Sequence, residues 1–211
     1  MSCCGGSEST PPRKSYLKVK KSTTYLSDKN SEAKIVFLGD AGVGKSSISQ
    51  RFVNNKFSEH YEVTIGGAYL QQQLRLRGGK SLRLHLWDTG GEERFKAMTP
   101  FYYRDADAAV LVYDVTNIKS FWSLEYWVRE LSEKAKREKL VIVLAGNKSD
   151  VSEKQVTTEQ AQSFADAHSL MFFETSAKTG DGINELFKQL GEEVSKNILA
   201  PTSTMKERTS N

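Results

Sequence analysis

Cysteine is nearly absent: the 211-residue chain has two, Cys3 and Cys4. Adjacent to one another, they cannot staple distant segments, and they make no zinc site by themselves. Such usage fits a reducing, cytosolic setting. Long apolar runs are missing as well. The longest, 108–113 and 140–146, fall far short of the roughly 20 residues that span a bilayer. The N-terminus lacks the apolar h-region of a secretory signal. Histidine is scarce: His60, His85 and His168 lie far apart without an i, i+4 pair, so they suggest no metal site, and no Ser-His-Asp or Cys-His arrangement is visible. The body also lacks an excess of positive charge. Residues 1–32 carry six basic and three acidic side chains, so they supply three of the four net positive charges. A nucleic-acid-binding domain is expected to be basic on its folded body, and this body is nearly neutral. Nucleic acid is therefore not an expected partner.

What is present is the composition of one soluble globular domain with tails: 38% apolar and 27% charged residues. Residues 1–32, rich in Ser, Thr and Lys, read as a flexible basic tail, and 200–211 as a second, disordered one. The domain is expected over 33–199. Residues 34–39 (KIVFLG), 109–114, 141–146 and 170–175 read as buried strands. Leu74, Leu76, Leu82, Leu84 and Leu86 alternate with polar residues around Gly78-Gly79, which predicts a β-hairpin. Helices fit at 44–55, about 119–136, about 158–168 and about 183–196. The third opens on a capping box, Thr157 with Gln160. No internal repeat is visible. This alternation predicts an α/β layered fold with a mostly parallel sheet, whose ligands bind in the loops beyond the strands' carboxyl ends.

Those loops carry the chemistry. Residues 39–46, GDAGVGKS, match the phosphate-binding pattern GxxxxGK[ST] between a predicted strand and a predicted helix. In such a loop, glycines let successive N–H groups turn toward an anion, and the helix adds its positive end. Ala41, Gly42, Val43, Gly44 and Ser47 are then candidate nucleotide contacts, with Lys45 a point charge for the β- and γ-phosphates and Ser46 a Mg²⁺ ligand. The base is addressed by Asn147-Lys148-Ser149-Asp150 after a later strand. A carboxylate at Asp150 accepts from the ring N–H and exocyclic amine of guanine, a donor pair that adenine lacks. Ser176-Ala177-Lys178, after the next strand, strengthens that signal and adds three candidate nucleotide contacts. Asp88, at the end of the hairpin's second strand, suits a Mg²⁺ contact through water, and Gly91 offers an N–H to a γ-phosphate. Thr64 alone reads as a plain strand threonine; beside the other elements it reads as a further Mg²⁺ ligand.

Across 33–196 the chain resembles a Ras-superfamily small GTPase of the Rab type. The elements GDAGVGKS, VTIGG, WDTGGEERF, FYYRDADAAVLVYDVT, GNKSD and ETSAK occur in the family's order and spacing. The resemblance implies a P-loop NTPase (Ras-like) three-layer fold. Its sheet has six strands, the one near 68–77 antiparallel to the rest, with about five helices. It implies that Phe57 packs on guanine, Tyr61 closes over the phosphates and the Ala177 backbone reads the guanine oxygen. It further implies GTP and GDP with Mg²⁺ as ligands, catalysis through Lys45, Thr64, Gly91 and Glu92, and a monomer working with an exchange factor, a GTPase-activating protein (GAP) and effectors. The runs 163–178 and VTIGGAYL are similar to the early-endosomal branch. Ile65 and the aromatic triad Tyr69, Trp87 and Tyr102 then form the effector surface, on the cytoplasmic side of endosomal membranes.

Two departures stand out. Glu92 replaces the family's usual glutamine and Gly90 its alanine; a carboxylate accepts from water but cannot donate to the transition state. The GAPs typical of Rabs supply an arginine and a glutamine in trans, so turnover need not be abolished. Anchoring is the second departure. The C-terminus, 206–211, has no prenylatable cysteine, and Ser2 stands where N-myristoylation requires glycine. Palmitoylation of Cys3 and Cys4, backed by the basic cluster 13–21, is one reading; an unmodified tail is the other. Three functions follow for comparison: a GTP-hydrolysing switch, a GTP-locked scaffold marked by Glu92, and a phosphate-loop kinase, against which stand NKxD and the lack of an arginine-rich lid.

Overall fold

The computed structural model describes residues 31–59, 64, 66–90, 99–135 and 140–199. Six strands form one sheet: β1 (Ser31–Leu38), β2 (Gly67–Arg75), β3 (Ser81–Thr89), β4 (Ala108–Asp114), β5 (Val141–Asn147) and β6 (Met171–Thr175), in the spatial order β2-β3-β1-β4-β5-β6. Only β2 and β3 pair antiparallel; β1 runs parallel to β3 and β4, and β5 to β4 and β6. The expected six-stranded, mostly parallel Ras-like architecture is present. β1 begins at Ser31, three residues before the strand expected at 34 and inside the tail expected over 1–32, because Ser31 and Glu32 register with Leu82 and Arg83.

Buried strands explain the unbroken apolar runs. Alternate residues feed opposite faces, as a parallel sheet covered on both sides demands. Ile35, Phe37, Val110, Val112 and Val143 join one core with Ile48 of α1 (Lys45–Asn54) and Phe187 and Leu190 of α6 (Ile183–Leu199). Val36, Leu38, Ala109, Leu111 and Leu144 join another with Trp127 and Leu131 of α4 (Leu124–Lys134) and Ala161 and Ala165 of α5 (Thr158–Ala167). Phe52 stacks on Phe187 with ring centroids 3.7 Å apart, which fixes α1 against α6.

The described residues also form two short helices, α2 (Thr99–Tyr103) and α3 (Ile118–Trp122). The single helix expected near 119–136 is divided into α3 and α4 at Ser123, whose hydroxyl donates to the Ser120 carbonyl at 2.9 Å. Such back-bonding competes with the helix ladder. The capping box of α5 is formed as expected, with Thr157 Oγ1 accepting from Gln160 N and Gln160 Oε1 from Thr157 N. At the hairpin, residues 77–79 make a single 3₁₀ turn, with Gly78 and Gly79 at positive φ. No helix among the described residues is long and apolar enough to cross a membrane.

Candidate functional site

The carboxyl ends of β1, β3, β5 and β6 converge on a cleft of about 1160 Å³. Its lining includes Ala41, Gly42, Gly44, Lys45, Ser46, Ser47, Phe57, Thr64, Asn147, Lys148, Asp150, Ala177 and Lys178. Residues separated by more than a hundred positions thus meet where an open α/β sheet binds ligands. Tyr61, Ile65, Gly91, Glu92, Cys3 and Cys4 lie outside the described residues. So do residues 1–30 and 200–211 of the expected tails.

The phosphate end is built by the turn from β1 into α1. Gly44 has φ 97°, and a Cβ there would come within 2.2 Å of Asn147 Nδ2. Glycine is required by conformation and by space together. Lys45 is 5% exposed and donates to the Gly39 and Asp40 carbonyls at 2.8 and 2.7 Å. Burial pulls its pKa down to about 8, with the Asp88 and Asp40 charges opposing. Val43 is buried in the core, so it faces the loop with its backbone only; its carbonyl accepts from Asn147 Nδ2 at 2.8 Å. This bond ties the phosphate loop directly to the NKxD loop.

Beside Lys45, the Ser46 and Thr64 hydroxyls lie 2.7 Å apart. Asp88 is 2% exposed, and its Oδ1 accepts no hydrogen bond among the described residues. Burial raises its pKa to about 6, against hydrogen bonding from Ser46 and the Lys45 charge. Two hydroxyls and a carboxylate with an unsatisfied oxygen form the hard, all-oxygen donor set that suits Mg²⁺. The residues present fit the ion.

The Asp88 pKa also carries a pH dependence. A carboxyl whose folded pKa exceeds its unfolded value favours the folded state fully below the unfolded value of 3.8. That contribution, about 3 kcal/mol for a rise of this size, is lost as pH climbs through about 6. The nucleotide-free protein in chelator is therefore expected to lose urea resistance between pH 4 and 6. Asp88→Asn is expected to remove most of that slope. Identical midpoint-against-pH curves for the two proteins would contradict the assignment.

At the base end, Ser176 Oγ donates to Asp150 Oδ1 at 2.6 Å, which orients the carboxylate. Ser176 itself is fully buried, so it serves through Asp150 rather than as a wall of the cleft. Asn147 is 1% exposed; its Oδ1 accepts from the Ala177 amide at 3.2 Å and from Thr175 Oγ1 at 3.4 Å. Lys148 sits at φ 66° and pairs with Asp114 at 2.5 Å. Phe57, 37% exposed, offers an aromatic face at the rim. Neither Asp114 nor Arg51, whose guanidinium reaches the Ala177 and Lys178 carbonyls, carries a motif that marks it in the sequence. Both act on residues distant in the chain.

Across β2, β3 and α2, Tyr69, Trp87 and Tyr102 come together. Ring centroids lie 5.1 Å apart for Tyr69–Trp87 and 5.9 Å for Trp87–Tyr102. Tyr69 is exposed, while Trp87 is half-buried with the Lys34 ammonium 5.4 Å over its ring. Tyr69 hydrogen-bonds His85 Nδ1 at 2.5 Å, His85 Nε2 lies 3.2 Å from Glu32 Oε2, and Gln71 Nε2 donates to the Tyr69 hydroxyl.

A sequence model of the Ras family matches residues 34–196. The chain is 41% identical over 197 residues to the Ras-related protein Rab-5B of Plasmodium falciparum, covering 92% of this chain and 94% of that protein. It is 44% identical over 163 residues to the GTP-binding protein ypt5 of Schizosaccharomyces pombe, covering 76% and 77%.

Proposed function

Because the chain belongs to the Ras family, among its Rab-type small GTPases, we propose that the cleft holds a guanine nucleotide and that its hydrolysis switches the aromatic face between partner-binding states. One observation carries the reading: the oriented carboxylate of Asp150 shares a single cleft with Lys45, Ser46 and Thr64. The Asp150 oxygens accept from the guanine ring N–H and amine, and the Ala177 amide addresses the oxygen at position 6. Phe57 covers the ring. The backbone of 41–46 and the Lys45 ammonium take the phosphates. Ser46, Thr64 and Asp88 are the residues that would hold Mg²⁺, Asp88 through water; the bound ion supplies charge neutralisation at the β- and γ-phosphates.

Thr64 and the Gly91 amide sense the γ-phosphate. When that group leaves, both segments lose a partner, and the neighbouring triad changes with them. A small GTPase of this family works with an exchange factor, a GAP and effectors; we assign the effector face to Ile65, Tyr69, Trp87 and Tyr102, and the working place to endosomal membranes. Titration calorimetry with stripped protein in Mg²⁺ tests the site: GDP and GTP are expected to bind, and ADP and ATP far more weakly. Comparable affinities for the two bases would overturn the reading.

Glu92 favours a second reading, a GTP-locked scaffold. A carboxylate helps position water, yet its charge opposes a transition state that gathers negative charge. We keep the hydrolysing switch as the main reading because an arginine and a glutamine brought in trans bypass residue 92.

Attachment is proposed to run through Cys3 and Cys4. Two acyl chains, or one with a polybasic segment, give stable anchoring, whereas basic residues alone bind weakly and salt-sensitively. Cys3→Ser with Cys4→Ser is expected to shift the protein from the membrane pellet to the cytosolic fraction in cells. Unchanged fractionation would refute acylation at these residues.

A further inference from the structure

The geometry points to Arg51 as the residue that positions the base-reading loop and so sets discrimination at position 6 of the purine. This inference rests on the guanine reading above. Arg51 lies on α1, the helix that opens with Lys45 and Ser46, and it reaches across the cleft to residues more than 120 positions away. Its Nε donates to the Ala177 carbonyl at 2.8 Å and its Nη2 to the Lys178 carbonyl at 2.7 Å. Its Nη1 donates to the backbone oxygen of Asn55 at 3.2 Å and to Asn55 Oδ1 at 3.1 Å. One planar cation thus grips two consecutive carbonyls on one side and a helix C-cap on the other.

Each end of that grip is a wall of the base pocket. Ala177 lines the cleft, and its amide, which donates to Asn147 Oδ1 at 3.2 Å, is the donor assigned above to the oxygen at position 6. Fixing the Ala177 and Lys178 carbonyls limits the rotation that would turn this amide away. Asn55 caps α1 in a left-handed conformation, φ 51°, and its amide donates back to the Arg51 carbonyl at 3.0 Å. From Asn55 the chain runs through Lys56 to Phe57, the aromatic rim of the same cleft. Arg51 therefore ties the helix that carries the phosphate ligands to the two segments that border the base.

The residue type matters. Guanidinium offers donors in a rigid fork, and a lysine ammonium does not reproduce two parallel bonds to adjacent carbonyls. Asp150 is held separately, by Ser176 Oγ. Loss of Arg51 should consequently loosen reading of the oxygen at position 6 more than reading of the 2-amino group.

Three diphosphates are compared: GDP, inosine diphosphate without the 2-amine, and 2-aminopurine riboside diphosphate. The last lacks the oxygen and with it the ring N–H read by Asp150, a loss that cancels between wild type and Arg51 variants because Asp150 is unchanged in both. For Arg51→Ala we expect GDP to dissociate about ten- to a hundredfold faster, the range for losing bonds from a charged donor. We expect the preference for GDP over the 2-aminopurine nucleotide to fall about tenfold. The preference for GDP over inosine diphosphate should stay at the wild-type value. Arg51→Lys and Arg51→Gln, which retain at most part of the fork, serve if the alanine variant does not fold, and should move the 2-aminopurine ratio in the same direction. A wild type that prefers GDP to ADP, with all folded Arg51 variants keeping its 2-aminopurine ratio, would overturn this inference alone. A wild type without that preference would overturn the guanine reading and this inference together.

Discussion

Asp150→Asn is expected to lower GDP and GTP affinity by about a thousandfold or more, the scale on which a site built for a specific donor pair rejects a mismatched partner. The carboxylate has acceptors only, and Ser176 Oγ already fixes one oxygen at 2.6 Å. An amide replaces the other acceptor with an NH₂ group, which then faces the guanine donors. Two donors facing each other in a desolvated pocket leave both unsatisfied, and each such group costs about 1–3 kcal/mol. The same substitution should improve binding of xanthosine diphosphate, whose oxygen at position 2 accepts from the new amide. Competition binding with GDP and xanthosine diphosphate checks both directions at once. Retention of wild-type GDP affinity would show that Asp150 does not read the base.

The second large effect concerns the metal side. Ser46→Asn should weaken GTP binding in Mg²⁺ by about a hundredfold, the upper end of what disturbed metal shells lose, and GDP binding several-fold less. Ser46 contributes one of the two hydroxyls that meet at 2.7 Å, beside the unsatisfied oxygen of Asp88. A longer amide both removes the hydroxyl ligand and displaces Thr64, the residue proposed to sense the γ-phosphate. Thr64 has that role only with a triphosphate, so the diphosphate complex suffers less. Affinities for both nucleotides with and without Mg²⁺ decide the matter. Equal losses for GDP and GTP would contradict the division of roles.

Local signals made much of this legible in the sequence. The phosphate loop is eight consecutive residues whose glycines and lysine act through their own backbone turn, and β4 and β5 are continuous apolar runs because both sheet faces are covered. The capping box of α5 depends on residues three apart. What stayed hidden depends on contacts across the fold. The division between α3 and α4 follows from serine hydroxyls: Ser120 Oγ bonds the Asp114 and Asn117 backbone while Ser123 bonds Ser120, and the sequence shows only a helix-compatible run. Arg51 reads as one more polar residue on α1, since its carbonyl partners lie in another loop. Likewise, Asn147 is recognisable as part of NKxD, but its bond to the Val43 carbonyl, which joins the two halves of the site, emerges only when β1 and β5 end at the same level.

The departure at Glu92 sharpens the central question of whether GTP in this cleft is hydrolysed. Single-turnover conversion of GTP bound to the Mg²⁺-loaded full chain, alone and with a Rab-type GAP, addresses it most directly. Slow release of phosphate is expected from the chain alone, with acceleration of about 10³-fold or more when arginine and glutamine arrive in trans. Glu92→Gln should then change the intrinsic rate more than the stimulated one. GTP that stays intact in the wild type under both conditions, but is hydrolysed by Glu92→Gln, would contradict the switch and leave a locked scaffold.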